Sequence, residues 1–443
     1  MIFDESRPVQ FRDELPKVVD VLVIGAGVIG ISTAYYLAKA GVSVCVCEKG
    51  RVAGEQSGRN WGWIRQQGRD PAEVSLAMEA NRLWEEISGE VDEDIGFART
   101  GVLFAAADPE HLATLEAWLD VAQQHQLDTR MLTGAEVDDI LKGPPNRQIG
   151  GLYTPSDAKA EPFRAVPALT GALKRRGGIV RENCAVRSLI TEGGAVTGVV
   201  TEDGEVRAQS VVCAGGAWTT RFLGNLGVRL PQLTVRGTVV RTAPAKEIIS
   251  GAVLAGHLGI RRRQDGGYTI ATGLTHEHFV NRDSFRFLGQ FIPTLRSGAM
   301  STQLRFRDGL WSRMAQESRW SADEITPFET TRVLNPPPSP VALANIEMGL
   351  KRWLPELSDV PIEQAWAGMI DTTPDVVPVM DAIPGYTALF VATGFSGHGF
   401  GIGPAAGKTM ADMVMGKAVS HDLHRFRFSR FSDGSKMVPG PGI

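Results

Sequence analysis

The sequence predicts a mixed α/β chain, α+β overall, with a parallel β–α–β unit at its start and a long series of short, mostly antiparallel strands behind it. Three observations carry this. Val21–Leu22–Val23–Ile24 is a continuous apolar run of the kind a parallel strand covered on both faces requires. A glycine turn follows, then a helix from Ile31 to Lys39 ended by Gly41, then a strand from Val42 to Cys47. From Gly177 the pattern changes to short strands separated by turns such as Glu192–Gly193–Gly194 and Glu202–Asp203–Gly204.

With 443 residues the chain exceeds what one hydrophobic core usually serves, so two domains or an interleaved architecture are expected. Its 43% apolar and 22% charged residues suit a globular protein, and a formal charge of −4 argues against nucleic acid as partner. Met1 to Lys17 carries Asp4, Glu5, Asp13 and Glu14 without an apolar stretch, unlike a secretory signal. Val18 to Ala40 is broken by three glycines, unlike a membrane span. Cys45 and Cys47 alternate within a strand and, with Cys184 and Cys213, read as buried small hydrophobes, with neither disulfide nor metal site expected. A reducing cytoplasm fits.

Along the chain, a helix is expected from Ala72 to Ser88, another with Asp108 as N-cap and Pro109 at its first position, and a third opened by a Thr133–Glu136 capping box. Strands are read at Ile179–Val180, Ala185 to Ile190, Val196 to Thr201, Val206 to Ala208 and Val211 to Ala214. Further strands are Val235 to Ala243, His257 to Arg263 and Tyr268 to Gly273, the last two joined by the turn Asp265–Gly266–Gly267. Phe285 to Trp320 mixes arginines and aromatics, with a helix expected near its end, and Asn335 to Pro340 is a proline-rich connector. Strand Leu389 to Ala392 leads through a glycine-rich loop to a helix from Pro404 to Met415, and the polar tail from Ser429 is expected to be loose.

Gly25, Gly27 and Gly30 form G-x-G-x-x-G between the first strand and helix. Gly25 permits the tight turn, Gly27 admits a pyrophosphate to the backbone, and Gly30 lets helix and strand pack closely. Glu48 ends the second strand eighteen residues after Gly30, where a carboxylate accepts from ribose hydroxyls and disfavours a 2′-phosphate. This Rossmann-like half-site serves FAD and NAD alike. No second fingerprint follows, however. The strand Val211 to Ala214 runs into Gly215–Gly216–Ala217–Trp218, and Gly394 to Gly401 opens another helix near the far end. A long cofactor reaching from Gly25 to that helix would use both, which favours FAD.

These elements, in this order, resemble the D-amino-acid oxidase family of flavoproteins, which includes glycine oxidase and sarcosine oxidase, over nearly the whole chain from Val21 to about Met415. The block Trp366 to Asp375 followed by Gly394 to Phe400 is especially similar to the monomeric sarcosine oxidase group. The resemblance implies a discontinuous FAD-binding domain (17–90, 150–222 and 362–425) interleaved with a mostly antiparallel substrate-binding domain (91–149 and 223–361), and a tail from 426 to 443. It places Gly25, Ala26, Gly27, Val28 and Ile29 at the pyrophosphate, Glu48 and the adjacent Lys49 at the adenosine ribose, and Val186 at the adenine. Ser57, Gly58, Arg59 and Asn60, continuing to Trp61 and Gly62, match the loop wrapping towards the isoalloxazine. Ala214, Gly215 and Trp218 flank the cofactor, and Gly397, His398, Gly399, Phe400 and Gly401 line the ring's pyrimidine edge. Sarcosine oxidases tether FAD through a cysteine where this chain has Gly368, which implies a non-covalent flavin. They also place a substrate-binding lysine where this chain has Gly401.

The substrate carboxylate therefore needs another cation, and an arginine binding both oxygens is the natural choice. Arg261 and Arg263 alternate onto one face of a strand, and Arg65, which follows Trp61 and Trp63 of the flavin loop, is a second candidate. Several arginines suggest two carboxylates; in this respect the chain is similar to an iminodiacetate oxidase, with sarcosine-like amines and D-amino acids left open. The resemblance implies hydride transfer from the substrate α-carbon to flavin N5, imine hydrolysis by water, and reoxidation by O2 to hydrogen peroxide. His398 reads as a flavin contact before a base; His257, His276 and His278 flank the arginine strand. A dehydrogenase passing electrons to a quinone or partner protein, a flavin-bearing assembly subunit without activity, and an NAD-dependent dehydrogenase are the alternatives. The oligomeric state is open.

Overall fold

Strand β1 (Val18–Ile24) enters the glycine turn, helix α1 (Val28–Lys39) leaves it, and strand β2 (Val44–Cys47) returns parallel to β1. In this computed structural model the described residues are 4–142, 148–273, 275–297, 302–306 and 319–440. Gly25 has φ +101°, open to glycine at little cost, and a β-carbon there would lie 2.6 Å from the carbonyl oxygen of Ala214. A β-carbon at Gly30 would run into the carbonyl oxygen of Gly25. Helix and strand pack this closely only with glycine at both points.

β1 sits inside an eight-stranded sheet. β2 and then Ile179–Arg181 lie on one side of it, and the long strand Gly204–Cys213 on the other. That strand replaces the two short ones expected between Val206 and Ala214. Its first half pairs antiparallel with Ala195–Thr201, and its end pairs parallel with Leu389–Thr393. The alternation read at Cys45 and Cys47 holds. Val44 and Val46 face the apolar cluster on the α1 side, whereas both cysteines join Cys184 and Cys213 in the cluster behind the sheet. All four are free and buried.

The second sheet has ten strands, with Leu233–Thr242 paired along its length to Ile362–Thr372. Tyr268–Thr272 and Leu258–Arg262 form the predicted hairpin beside it. Gly150–Thr154 and Ile362–Thr372 belong to this sheet, although their segments were expected in the dinucleotide domain.

The predicted helices form, with the predicted caps at Asp108 and Thr133 and a further one at Asp70 not read from sequence. Asp70 caps Pro71–Glu90, Asp108 caps Pro109–Ala117, and Thr133 and Glu136 make the capping box of Gly134–Ile140. A helix not expected from sequence, Pro340–Trp353, has Ser339 as its N-cap. Helices also cover Arg282–Arg286 and Leu288–Ser297; the helix expected near Trp320 falls largely outside the described residues.

Two expectations are corrected. The last helix begins at Gly399, not Pro404, and runs to Val414 with the proline inside. Proline brings no N–H for the carbonyl four residues back, and Trp84 Nε1 supplies that hydrogen bond to Phe400 O at 3.1 Å instead. Nor are the described residues of the tail, to Gly440, loose; 441–443 lie outside the described residues. Arg430 makes a two-pronged ion pair with Asp375, both 3% exposed, and Arg425 binds Asp70 at 2.9 Å.

Candidate active site

A cavity of about 900 Å³ runs between the two sheets, at the upper end of the 300–1,000 Å³ typical of ligand pockets. Gly25, Gly27, Val28, Ile29, Glu48, Lys49, Val186, Ala214, Gly215 and Trp218 line it on the fingerprint side. Ser57, Arg59, Asn60, Trp61 and Gly62 continue the wall, and Gly368 with Gly397, His398, Gly399, Phe400 and Gly401 close the far end. Ala26 and Gly58 do not line it; Ala26 N–H is spent on Glu48 at 2.8 Å.

Each fingerprint residue has a local reason for its place. α1 starts at Val28 with no side-chain cap from Gly27, so its positive end opens on the cavity. Val28 N–H donates to Ser57 Oγ at 2.8 Å, which ties the following loop to the helix start. Glu48 accepts from the amides of Ala26 and Gly50 at 2.8 and 2.7 Å, and burial nevertheless raises its pKa. Lys49 is paired with Glu55 at 2.7 Å and lies over the Trp218 ring. At Gly368 a β-carbon would be in ordinary contact with Arg59, and the position carries no side chain to tether a ligand.

At the far end, buried polar groups converge without partners. Arg69 Nη1, Trp63 Nε1 and His398 Nε2 have no hydrogen-bond partner, and all three residues line the cavity. A β-carbon at Gly401 would lie 3.3 Å from Arg69 Nη2 and 3.2 Å from Trp63 O, so the guanidinium stands against this turn. His398 Nδ1 is 3.0 Å from Glu73 Oε2 in a pair exposed by only 3% and 0%. Burial pushes His398 down to about 4, so it is a neutral imidazole donating Nδ1–H to Glu73 and keeping an unpartnered lone pair at Nε2. Burial works to raise Glu73, but His398 and the guanidiniums of Arg69 and Arg65 outweigh it and hold the carboxyl below its usual range.

Arg65 lines the cavity with its guanidinium 5.4 Å from the Phe104 ring centroid and one nitrogen on the Gln67 carbonyl. Asp157 secures this loop, accepting from Gln66 N at 2.7 Å and Gln67 N at 3.3 Å.

The clamp expected from Arg261 and Arg263 is corrected. Arg261 is 2% exposed and forms a two-pronged bridge with Glu161 at 3.0 and 2.9 Å, with Nε on Trp61 O. Arg263 is spent on Asp265 and on the carbonyls of Tyr268 and Thr242. Neither lines the cavity, because the carboxylates folded against them already satisfy their charge. Sequence reasoning missed Arg69 and Glu73, whose signal was their closeness to Arg65, and the wall made by Phe104, His111, Trp118 and Leu254.

Residues 20–413 match the family model of the FAD dependent oxidoreductases. The chain belongs to this family. Glycine oxidase of Pseudomonas aeruginosa is 26% identical over 412 residues, 90% of this chain and 95% of that protein. The β subunit of sarcosine oxidase from Rhodobacter capsulatus is 25% identical, over 95% of this chain and 92% of that protein. Among solved structures, L-amino acid deaminase from Proteus myxofaciens in complex with anthranilate has 30% identity and a TM-score of 0.91, covering 96% of this chain and 97% of that one.

This member of the FAD dependent oxidoreductases is thus an FAD enzyme of the amino-acid oxidase and deaminase type, acting on CH–NH donors. The cavity fits the cofactor: a glycine cradle without room for β-carbons at one end, unpartnered polar groups at the other, and a volume to match. No described helix is long and apolar enough to cross a membrane, and no described cluster of three or more His, Cys, Asp or Glu is arranged to hold a metal.

Proposed function

We propose that the enzyme oxidises the C–N bond of an amino acid with one α-carboxylate and an apolar side chain. The observation that carries this is the buried guanidinium of Arg69, unpartnered at Nη1, in a residue that lines the cavity together with its neighbour Arg65 and the apolar Trp61, Trp63, Phe104, Leu115 and Trp118. Two arginines on one side of an apolar compartment suit one carboxylate and a hydrocarbon side chain. Iminodiacetate loses the argument that Arg261 and Arg263 made for it, since both are consumed internally.

FAD would be held non-covalently, by Gly25, Gly27, Val28 and Ile29 at its pyrophosphate, Glu48 at its ribose, Val186 at its adenine and Gly397 to Gly401 at its ring. When bound, it supplies the acceptor for the hydrogen on the substrate α-carbon. The protein does the rest. Arg69 and Arg65 hold the carboxylate, and their charge disfavours the ammonium form, so the substrate nitrogen sits neutral. Trp63 Nε1–H donates to the same anion. Neutral His398, its tautomer held by Glu73, accepts an N–H at Nε2. The helix Gly399–Val414 directs its positive end at the ring site and favours negative charge there. The imine product is hydrolysed by water, and O2 is the proposed final acceptor. The proposed two-lobe division keeps the segments read from sequence, except that Gly150–Thr154 and Ile362–Thr372 go with the substrate lobe because they pair in the second sheet.

The structural relative solved with anthranilate, an aromatic amino-carboxylate, supports a site of this kind. The test is anaerobic titration of the purified yellow protein with both enantiomers of leucine and phenylalanine, and with glycine, sarcosine and iminodiacetate, following loss of visible absorbance. Apolar amino acids should bleach it at the lowest concentration. Bleaching by iminodiacetate or sarcosine alone overturns the assignment. Bleaching by nothing restores the inactive-subunit reading. Fast dye reduction with slow peroxide formation on admitting air would replace O2 by another acceptor.

A further inference from the structure

The chain's last described residues return to the cavity: Pro439 and Gly440 line it, as do His111, Thr114, Leu115 and Trp118. Thr114 is exposed and Pro439 and Gly440 are half-buried, so the cavity meets solvent here. We infer that the segment ending at Gly440 forms one lip of the substrate compartment and limits the length of side chain the enzyme accepts.

The segment is held at both ends. Arg430 grips Asp375 through both carboxylate oxygens and adds the Val377 carbonyl at 2.7 Å. Arg425 Nη2 donates both to Asp70 Oδ2 at 2.9 Å and to the Val438 carbonyl at 2.7 Å. Gly440 N–H donates to Asp375 O at 3.0 Å, and a β-carbon at Gly440 would lie 2.9 Å from Asp70 Oδ2.

Asp70 is the link to the chemistry. It caps the helix Pro71–Glu90 and is the neighbour of Arg69. The lip carrying Trp118 is tied to the residue before it, for Trp118 Nε1 donates to the Arg69 carbonyl at 3.0 Å. The two lips are therefore registered on adjacent residues, Trp118 on the backbone of the arginine that holds the carboxylate and the tail segment on the side chain of Asp70. A substrate fixed there points its side chain between Trp118 and Pro439, and the distance to these residues sets its limit. Bulkier side chains must displace a segment held by two ion pairs, one of them fully buried.

This rests on the reading of Arg69 as carboxylate receiver, and the experiment separates the two. The holoprotein is titrated with straight-chain carboxylates from acetate to decanoate, with binding read from perturbation of the visible flavin absorption. In the full chain, affinity should rise about fourfold per buried methylene to a limiting length, then fall about tenfold where packing is overfilled. A chain ending at Lys436 should keep its FAD and lose the fall. Pro439→Trp, which leaves every anchor in place, should move the fall to shorter acids, and it decides the matter if the shortened chain does not fold. An unchanged length profile in Pro439→Trp, or in the shortened holoprotein, overturns the inference while Arg69 stands. No response to any carboxylate in the full chain overturns both.

Discussion

Glu73 Oε2 and His398 Nδ1 lie 3.0 Å apart in the interior, joining the first turn of the helix Pro71–Glu90 to the N-cap of the helix Gly399–Val414. One carboxylate thereby fixes which nitrogen of His398 carries the proton and which is left with a free lone pair. Glu73→Ala should leave a buried N–H unsatisfied, at about 1–3 kcal/mol of stability, and lower kcat/KM. Glu73→Gln, which still accepts from Nδ1, should restore most of both. Equal kcat/KM and pH profiles in Glu73→Ala and the parent would show that the pair is only structural.

The buried histidines predict acid lability. Burial pushes His276 and His398 each down to about 4 from an ordinary value of 6.5. Their stabilising contribution is present above pH 6.5 and is lost as pH falls through 4. Asp157, pushed up to about 6 by burial, acts with the opposite sign, its contribution being complete below 3.8 and lost as pH rises through 6. His278 is lowered by burial as well, and Glu48, Asp70, Asp283 and Asp371 are raised by it like Asp157. The histidine share is isolated by His276→Gln, which should lose less Tm than the parent between pH 6.5 and 4.5; parallel Tm–pH curves for the two proteins would refute it.

Arg69→Leu should raise KM for the substrate about a hundredfold, the size of a charge-assisted hydrogen-bond pair, with FAD content unchanged. Arg69→Lys should recover only part of this, because an ammonium lacks the planar fork. Steady-state kinetics with a cofactor-to-protein absorbance ratio would check both.

Arg261 should behave as a structural residue. Arg261→Met leaves Glu161 charged and buried, and should destabilise by about 3–5 kcal/mol. Adding Glu161→Leu removes the stranded charge and should return most of that stability. Denaturant melts of the single and double variants test this, and a KM that rises with unchanged stability in Arg261→Met would reinstate the substrate clamp.

Gly30→Ala should abolish FAD retention, since its methyl would meet the Gly25 carbonyl and separate α1 from the turn. The colour and the cofactor released on acid precipitation give the readout. Because Gly368 carries no thiol, all the flavin of the parent should leave in that supernatant.

What could be read from sequence was what the backbone decides locally. The turn at Gly25, the caps Asp108 and Thr133, and the alternation of Cys45 with Cys47 each rest on residues within one or two turns of chain. The misreadings share the opposite cause. Alternation shows that Arg261 has a face; it does not show that Glu161, a hundred residues earlier, waits on that face. Pro404 reads as a helix start until Trp84 satisfies the carbonyl that the proline orphans. The tail reads as loose because its partners, Asp70 and Asp375, lie 355 and 55 residues away from the arginines that find them. Arg69 was legible in part, being four residues beyond Arg65, but its vacant nitrogen is a property of the folded cavity alone.

The cysteines behind the parallel sheet bear on how such an enzyme ages. Cys47 and Cys213 both border the cavity. Hydrogen bonding that keeps the Cys47 thiol protonated against Cys184 and Cys45, with burial, raises Cys47 well above the ordinary thiol range, and burial raises Cys213 to about 11. Oxidants attack thiolates, and at neutral pH these sulfurs stay protonated. Wear during turnover should then be recorded on thioethers, with the thiols still titrating in full after activity has declined.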